Sequence, residues 1–208
     1  MHSSAFDIGK LFFDTYIAGD HPVKVIDVGS QNINGTLKSH ITKNVTSYVG
    51  ADFEAGNGVD VVLEDSYKFP FENNTFDALV TSSCFEHSEM FWLTFLEGMR
   101  VLKPDGLMYI NAPSSWHYHR HPYDCWRFFP DAGKGLETWA RYSKIQARVL
   151  ETFIFNQTDW VCVFIKDENY MDLFPNRMLD SLVYRKQFTK GFRFPASGPF
   201  DGTWQNPV

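Results

Sequence analysis

Five short apolar runs recur between residues 23 and 113 of this 208-residue chain, and each stops at a residue that cannot easily continue it. They are VKVIDVG (residues 23–29), TSYVGAD (46–52), GVDVVLED (58–65), FDALVTSS (76–83) and GLMYINAP (106–113). Strands covered on both faces of a parallel sheet need such runs, whereas half-exposed strands show strict alternation. Between the fourth and fifth runs, EMFWLTFLEGMRVL (89–102) repeats Phe91, Phe95, Met99 and Leu102 at helical spacing. KPDG (103–106) then stops that helix with Pro and Gly. GKGLETWARYS (133–143) predicts another helix. ARVLETFIF (147–155) and DWVCVFIKD (159–167) predict a closing antiparallel pair around the turn residues of FNQTD. Strands interleaved with helices define an α/β protein built on a parallel sheet.

The length suits one domain, placed at residues 1–167 with its core over 22–167. Residues 168–208 lose periodicity and scatter aromatic residues, Pro and Gly, as in GFRFPASGPFDGTW (191–204). They are expected to form a C-terminal extension packed on the domain or on a partner subunit of a homodimer. A net charge of −6 disfavours a general nucleic-acid binder, which carries a basic surface. Cys84, Cys125 and Cys162 are odd in number and widely spaced, which suits a reducing compartment better than a disulfide framework. MHSSAFDIGKLFF lacks the basic start and long apolar core of a signal peptide, and no run reaches the ~18 apolar residues of a membrane span. The expectation is a cytoplasmic protein with no membrane and no nucleic-acid partner.

In an open α/β sheet, ligands bind beyond the carboxyl ends of the strands. The first strand ends IDVGSQNING, where Gly29 lets backbone approach a ligand and the next amides lie near a helix start. This is not G-x-G-x-x-G, because Gln31 stands where the second glycine would. Asp52 ends the second strand, where an acid can accept both ribose hydroxyls. Asp65 and Ser66 end the third, where side chain and backbone can meet an adenine edge. Each acid alone is equally a solvated strand end or a cap. The three in order point to a nucleoside-bearing cofactor.

IDVGSQNING, GADFE, EDSYKFPFENNTFDALVTSSCFEH and MRVLKPDGLMYI together resemble the class I S-adenosylmethionine-dependent methyltransferases, in particular the type 11 group. The matching positions are Asp65, residues 69–71, residues 75–77, Glu86, His87 and residues 100–106, and the resemblance spans about residues 23–167. It implies a Rossmann-like, seven-stranded, mostly parallel sheet of order 3-2-1-4-5-7-6 with the last strand antiparallel, flanked by helices. It implies S-adenosyl-L-methionine as cofactor. Asp27, Gly29 and Ser30 would hold its methionine end, Asp52 the ribose, and Asp65 with Ser66 the adenine. Ser82 and Ser83 would border the methionine moiety. Gln31, and Asp105 in place of the first glycine of the family's PGG turn, depart from the pattern.

The acceptor side is less explicit. TSSCFEH (81–87) replaces the Asn/Asp-Pro-Pro-Tyr-like run of amide and amino-DNA methyltransferases, and places His87 just beyond the fourth strand. HYHRHPYDCWRFFP (117–130) follows the fifth. Its back half, DCWRFFP, resembles the start of the next helix in related methyltransferases, with Arg127 in a supporting ion pair. Its front half offers three readings: a metal site, since alternating His117, His119 and His121 share one face when extended; an acceptor pocket; or a surface loop. The acceptor pocket is the expectation, with no metal. His87, His119 and His121 are the candidate bases. His117, Tyr118, Arg120, Tyr123 and Arg127 are the candidate substrate contacts, with arginine suited to a carboxylate or phosphate. The expected activity is O-methylation of a small polar acceptor such as a sugar or surface-polysaccharide precursor. The alternative is a non-catalytic S-adenosylmethionine-binding module acting through a protein partner. A nicotinamide dehydrogenase is disfavoured by the missing glycine fingerprint.

Overall fold

The computed structural model of the protein describes residues 2–184 and 188–193. Most of the stretch 191–204 therefore lies outside the described residues, and with it much of the expected extension. One sheet organises the rest. Its strands are β1 (Val23–Val28), β2 (Val45–Asp52), β3 (Val61–Val62), β4 (Phe76–Ser82), β5 (Leu102–Pro113), β6 (Arg148–Phe155), β7 (Asp159–Ile165) and β8 (Phe188–Arg193). They lie in the order β3-β2-β1-β4-β5-β7-β6-β8. The pairs from β3 to β5 are parallel, and β7 runs antiparallel to both β5 and β6. The expected order 3-2-1-4-5-7-6 is present, with β8 added antiparallel outside β6.

The strand residues alternate between two cores. Ile26, Val28, Leu79, Met108, Ile110, Trp160 and Phe164 pack on one face with Phe95 and Met99 of α2 (Phe91–Val101) and Leu136 and Ala140 of α3 (Asp131–Tyr142). Val25, Ala78, Val80, Leu107, Tyr109, Val161 and Val163 pack on the other with Ile8 and Phe12 of α1 (Ser3–Phe12). Residues from a single strand thus feed both layers, as period-2 side-chain alternation requires. Burial on both faces explains why β1, β4 and β5 read as continuous apolar runs, whereas the run at 58–65 gives only the two-residue edge strand β3, with Val62 exposed.

Two sequence features take a different form. The helix before β5 ends at Val101, and β5 begins at Leu102, so KPDG lies within the strand's first residues. Lys166 Nζ donates to the carbonyls of Arg100 and Leu102 and so caps that helix end. The helix expected at 133–143 starts two residues earlier, with Asp131 in its first turn. The type 11-like pattern also gains a mechanical reason. Arg100 donates to the carbonyls of Phe69 and Phe71 at 3.0 and 2.8 Å, and to Glu97. The arginine of the helix end thus ties down the loop that carries the FPF residues. No helix among the described residues is long and apolar enough to cross a membrane.

Candidate active site

The carboxyl ends of β1, β2 and β4 open into one cavity of about 690 Å³. Gly29 turns the chain out of β1 with φ of +80°. A Cβ at that position would lie 2.6 Å from the Cβ of Cys84, so the turn needs glycine for conformation and for space. Gln31 donates its amide to Asp52 Oδ2 at 2.9 Å, while Asp52 Oδ1 accepts the Phe53 amide. The acid is thus pinned at the end of β2. The Gln31 side chain lies against Gly56 and lines the cavity. The departure from a second glycine therefore narrows the loop with an amide.

Asp27 is buried, lines the cavity, and accepts a hydrogen bond from the Tyr48 hydroxyl at 2.7 Å. Burial raises its carboxyl to about 7, against the lowering effect of Tyr48. Ser30 Oγ is buried in the same wall with no hydrogen-bond partner. Ser66, Ser82, Ser83 and Leu63 also line the space, and Ser82 Oγ donates to Asn111 Oδ1 at 3.2 Å. Asp65 is exposed, accepts the Tyr67 amide at 2.8 Å, and is not among the lining residues.

The far wall is the segment after β5, fixed to the loop after β4 by an inter-loop ladder. The Glu86 carbonyl accepts the amides of Cys125 and Trp126, at 2.7 and 3.2 Å. Trp126 Nε1 donates to the Ser88 carbonyl at 3.0 Å. His87 Nδ1 donates to the Tyr123 carbonyl, which places the proton on Nδ1 and leaves Nε2 as a lone pair. Burial lowers the His87 pKa, and the bond to Tyr123 opposes this. The rings of His119 and His121 lie 5.0 and 6.1 Å from that of His87. His117, His119, His121 and Tyr123 all line the cavity.

Arg127 has a different place. It donates to both oxygens of Asp124 and to the carbonyls of His117 and Trp116. Its guanidinium holds the Asp124 carboxyl well below the usual carboxylate range. The expected ion pair is present, and it spends the arginine inside the loop. Tyr118 is 71% exposed and Arg120 donates to the Pro122 carbonyl; neither lines the cavity, nor does Arg127.

The structure adds residues that the strand-end reading did not single out. His2, Ser3 and Ser4 at the start of α1 line the cavity, with the His2 ring 4.3 Å from that of Trp116. Ser4 Oγ donates to Asp159 Oδ2 at 2.7 Å. Glu86 is the most consequential addition. It is 1% exposed, its Oε2 has no hydrogen-bond partner, and burial raises its carboxyl to about 8. The pairing of Glu86 with His87 was visible as "EH", but nothing in the sequence says that the acid turns inward.

A family model described as "Methyltransferase domain" matches residues 26–110. The fold has relatives among solved structures. Burkholderia thailandensis 1,6-didemethyltoxoflavin-N1-methyltransferase, with 1,6-didemethyltoxoflavin and S-adenosylhomocysteine bound, is 14% identical, with 79% of each chain covered and a TM-score of 0.61. A SAM-dependent methyltransferase from Aquifex aeolicus is 16% identical over 78% of this chain and 91% of that one, with a TM-score of 0.56. A chain from the complex of the Haloferax volcanii Trm112 methyltransferase activator is 14% identical over 78% and 89%, also with a TM-score of 0.56. No curated protein matches the sequence. At these identities the structural likenesses establish the fold. The strand order is the one expected of class I S-adenosylmethionine-dependent methyltransferases, and the family match covers the β1–β5 part of that sheet.

The cavity fits that cofactor on its own terms. It offers a buried acid at the β1 end, an unpartnered buried hydroxyl at Ser30, an anchored acid at the β2 end, and apolar Leu63 beside Ser66.

Proposed function

We propose that the protein catalyses O-methylation of a small polar acceptor, such as a sugar or surface-polysaccharide precursor, in the half of the cavity walled by residues 116–123. One observation carries this reading. The strand ends suited to the cofactor and the histidines of the post-β5 segment line the same cavity. When bound, S-adenosylmethionine supplies an activated methyl group. The chain's part is alignment, exclusion of water and reception of a proton.

Asp27, Gly29 and Ser30 hold the methionine end in this proposal, Asp52 the ribose, and Ser66 the adenine edge, with Ser82 and Ser83 beside the methionine moiety. Asp65 acts through the turn that sets Ser66, because its carboxylate accepts the Tyr67 amide. His87, His119 and His121 are the groups available to take a hydroxyl proton, since all three face the cavity and His87 keeps Nε2 unprotonated. His117 and Tyr123 contact the acceptor. Tyr118 and Arg120 serve an acceptor large enough to extend past the rim. Arg127 positions the loop rather than touching the acceptor.

An enzyme is favoured over a non-catalytic cofactor-binding module because the acceptor wall is formed and lined by proton acceptors. The test is methyl transfer from labelled S-adenosylmethionine to panels of sugars, other hydroxyl compounds, amines, peptides and nucleic acids. Label transfer to hydroxyl acceptors, reduced by His87→Ala and His121→Ala, is expected. Transfer only to protein or nucleic acid overturns the acceptor class. Binding of S-adenosylhomocysteine without turnover on any panel favours the module.

A further inference from the structure

Three side chains from two loops converge in the acceptor half of the cavity. Glu86, His87 and His119 each offer a ligand atom, and these atoms all lie within 4.8 Å of one another. Their chemistry leaves the meeting point electron-rich. His87 gives its Nδ1 proton to the Tyr123 carbonyl. His119 Nδ1 lies 3.0 Å from the His117 carbonyl, which as an acceptor holds the proton on that nitrogen. Both imidazoles therefore have Nε2 as an unprotonated lone pair. Asp124 Oδ2, 3.5 Å from His119 Nδ1, backs the second ring. An outer carbonyl or carboxylate on the far nitrogen is how metal-binding histidines are oriented.

The carboxylate lacks its own partner. Glu86 is almost fully buried, and its Oε2 accepts no hydrogen bond. Among the described residues no lysine or arginine pairs with it, and Arg127 is committed to Asp124 and to loop carbonyls. Ionising so buried a carboxyl calls for a cation beside it.

Distance then separates a hydrogen bond from a metal bridge. His87 Nε2 stands 3.7 Å from Glu86 Oε1, beyond hydrogen-bond range. Two ligands on a tetrahedral ion, each about 2.0–2.1 Å from it, sit roughly 3.4 Å apart. The gap is close to what an ion between them needs. Two imidazoles and one carboxylate also form the donor set of an open catalytic zinc site, which leaves a coordination position for substrate.

We propose that Glu86, His87 and His119 bind a divalent transition-metal ion of the zinc type, with its open position facing the acceptor half of the cavity. In the sequence the three alternating histidines have no acid-rich cluster beside them, and the resembled family seldom needs a metal. The fold brings the acid from the loop after β4. The site's use in catalysis rests on the proposed O-methylation, while its existence does not. An acceptor hydroxyl at the open position is acidified by the ion. His121, whose ring lies 6.1 Å from that of His87, is the remaining candidate base to receive the proton.

The test uses the full chain stripped with a chelator, titrated with Zn²⁺ by calorimetry and with Co²⁺ by visible absorption. One ion per chain is expected, with the absorption bands of a four- or five-coordinate Co²⁺ site. Glu86→Gln and His119→Ala should each weaken binding at least tenfold, and His21→Ala, at an exposed position away from the site, should leave it unchanged. S-adenosylhomocysteine calorimetry on each variant shows that its fold and cofactor site are intact. Metal affinity that survives both substitutions overturns the proposal. So does a stripped protein that binds S-adenosylhomocysteine but takes up neither ion. Site-dependent metal binding in a protein that methylates no hydroxyl acceptor upholds the metal site and refutes the O-methylation reading instead.

Discussion

The Tyr48 hydroxyl donates to the Asp27 carboxylate at 2.7 Å, so the buried acid at the end of β1 is tuned from the neighbouring strand β2. Tyr48 stabilises the charged form that burial opposes, and the balance leaves Asp27 titrating at about 7. With Asp27 assigned to the cationic methionine end, cofactor binding favours the ionised carboxylate. Affinity for S-adenosylhomocysteine should therefore rise as pH increases through about 7, with protons released on binding. Tyr48→Phe removes a bond to a charged group worth about 1.5–3 kcal/mol. It should lower affinity about tenfold at pH 7, with the loss recovered near pH 9. Calorimetry in buffers of different ionisation enthalpy reads both effects. A pH-independent affinity in the parent protein would remove Asp27 from this role.

The same shift has a stability consequence of opposite sense. A carboxyl whose folded pKa lies above its unfolded value binds protons more tightly in the folded state. Its destabilising effect is absent below about pH 4, grows as pH rises towards 7, and is complete above that. Asp27→Asn should thus be more stable than the parent at pH 8, by on the order of a few kcal/mol, and nearly equal to it at pH 4. Urea unfolding at the two pH values measures the difference.

Arg127 and Asp124 form the rivet of the acceptor wall, and the Asp124 side chain is only 1% exposed. Removing the cation from such a carboxylate costs about 3–5 kcal/mol when burial is complete, and somewhat less here because Arg127 is partly exposed. Arg127→Ala should lower the melting temperature and raise the acceptor KM while leaving S-adenosylhomocysteine affinity within about twofold. Arg127→Lys should not rescue it, because a point charge cannot span two carboxylate oxygens and two carbonyls.

Gly29→Ala meets both a positive φ and a Cβ contact of 2.6 Å with Cys84. The combined cost is about 2–4 kcal/mol. Adding Cys84→Gly should return the contact part and leave the backbone part. A double-mutant cycle by urea unfolding separates the two.

The three cysteines should differ in reactivity. Burial pushes the Cys84 thiol up to about 12, and raises Cys162 as well, whereas Cys125 is exposed. Iodoacetamide at pH 8 should label Cys125 first, as mass spectrometry of digests would show. Rapid labelling of Cys84 in the folded protein would contradict the buried turn at Gly29.

The parallel strands were legible because burial on both faces leaves an apolar run that composition alone marks. The proposed cofactor end was legible for a related reason: Asp27 and Asp52 sit at strand ends, so locating the strands located them. The proposed acceptor half was legible only in part. His117, His119 and His121 were found by their spacing, and they do face the cavity. Tyr118 and Arg120 belong to the same stretch and point elsewhere, since side-chain direction in an irregular segment has no period to read. Glu86 was missed as a site residue because its burial depends on the Cys125 and Trp126 amides, almost forty residues away. The strand β8 and the helix α1 lacked a signal because their pairing and packing partners lie far along the chain.

The bond from Ser4 to Asp159 spans most of the chain, and with it the first turn of α1 becomes a wall of the cavity. During synthesis, the first turn of α1 must wait for strand β7 before this bond can form. A nascent chain stalled before that strand carries the glycine turn and both strand-end acids, yet lacks this seal. The cavity therefore gains this wall only after β7 has been made, however early its strand-end acids are in place.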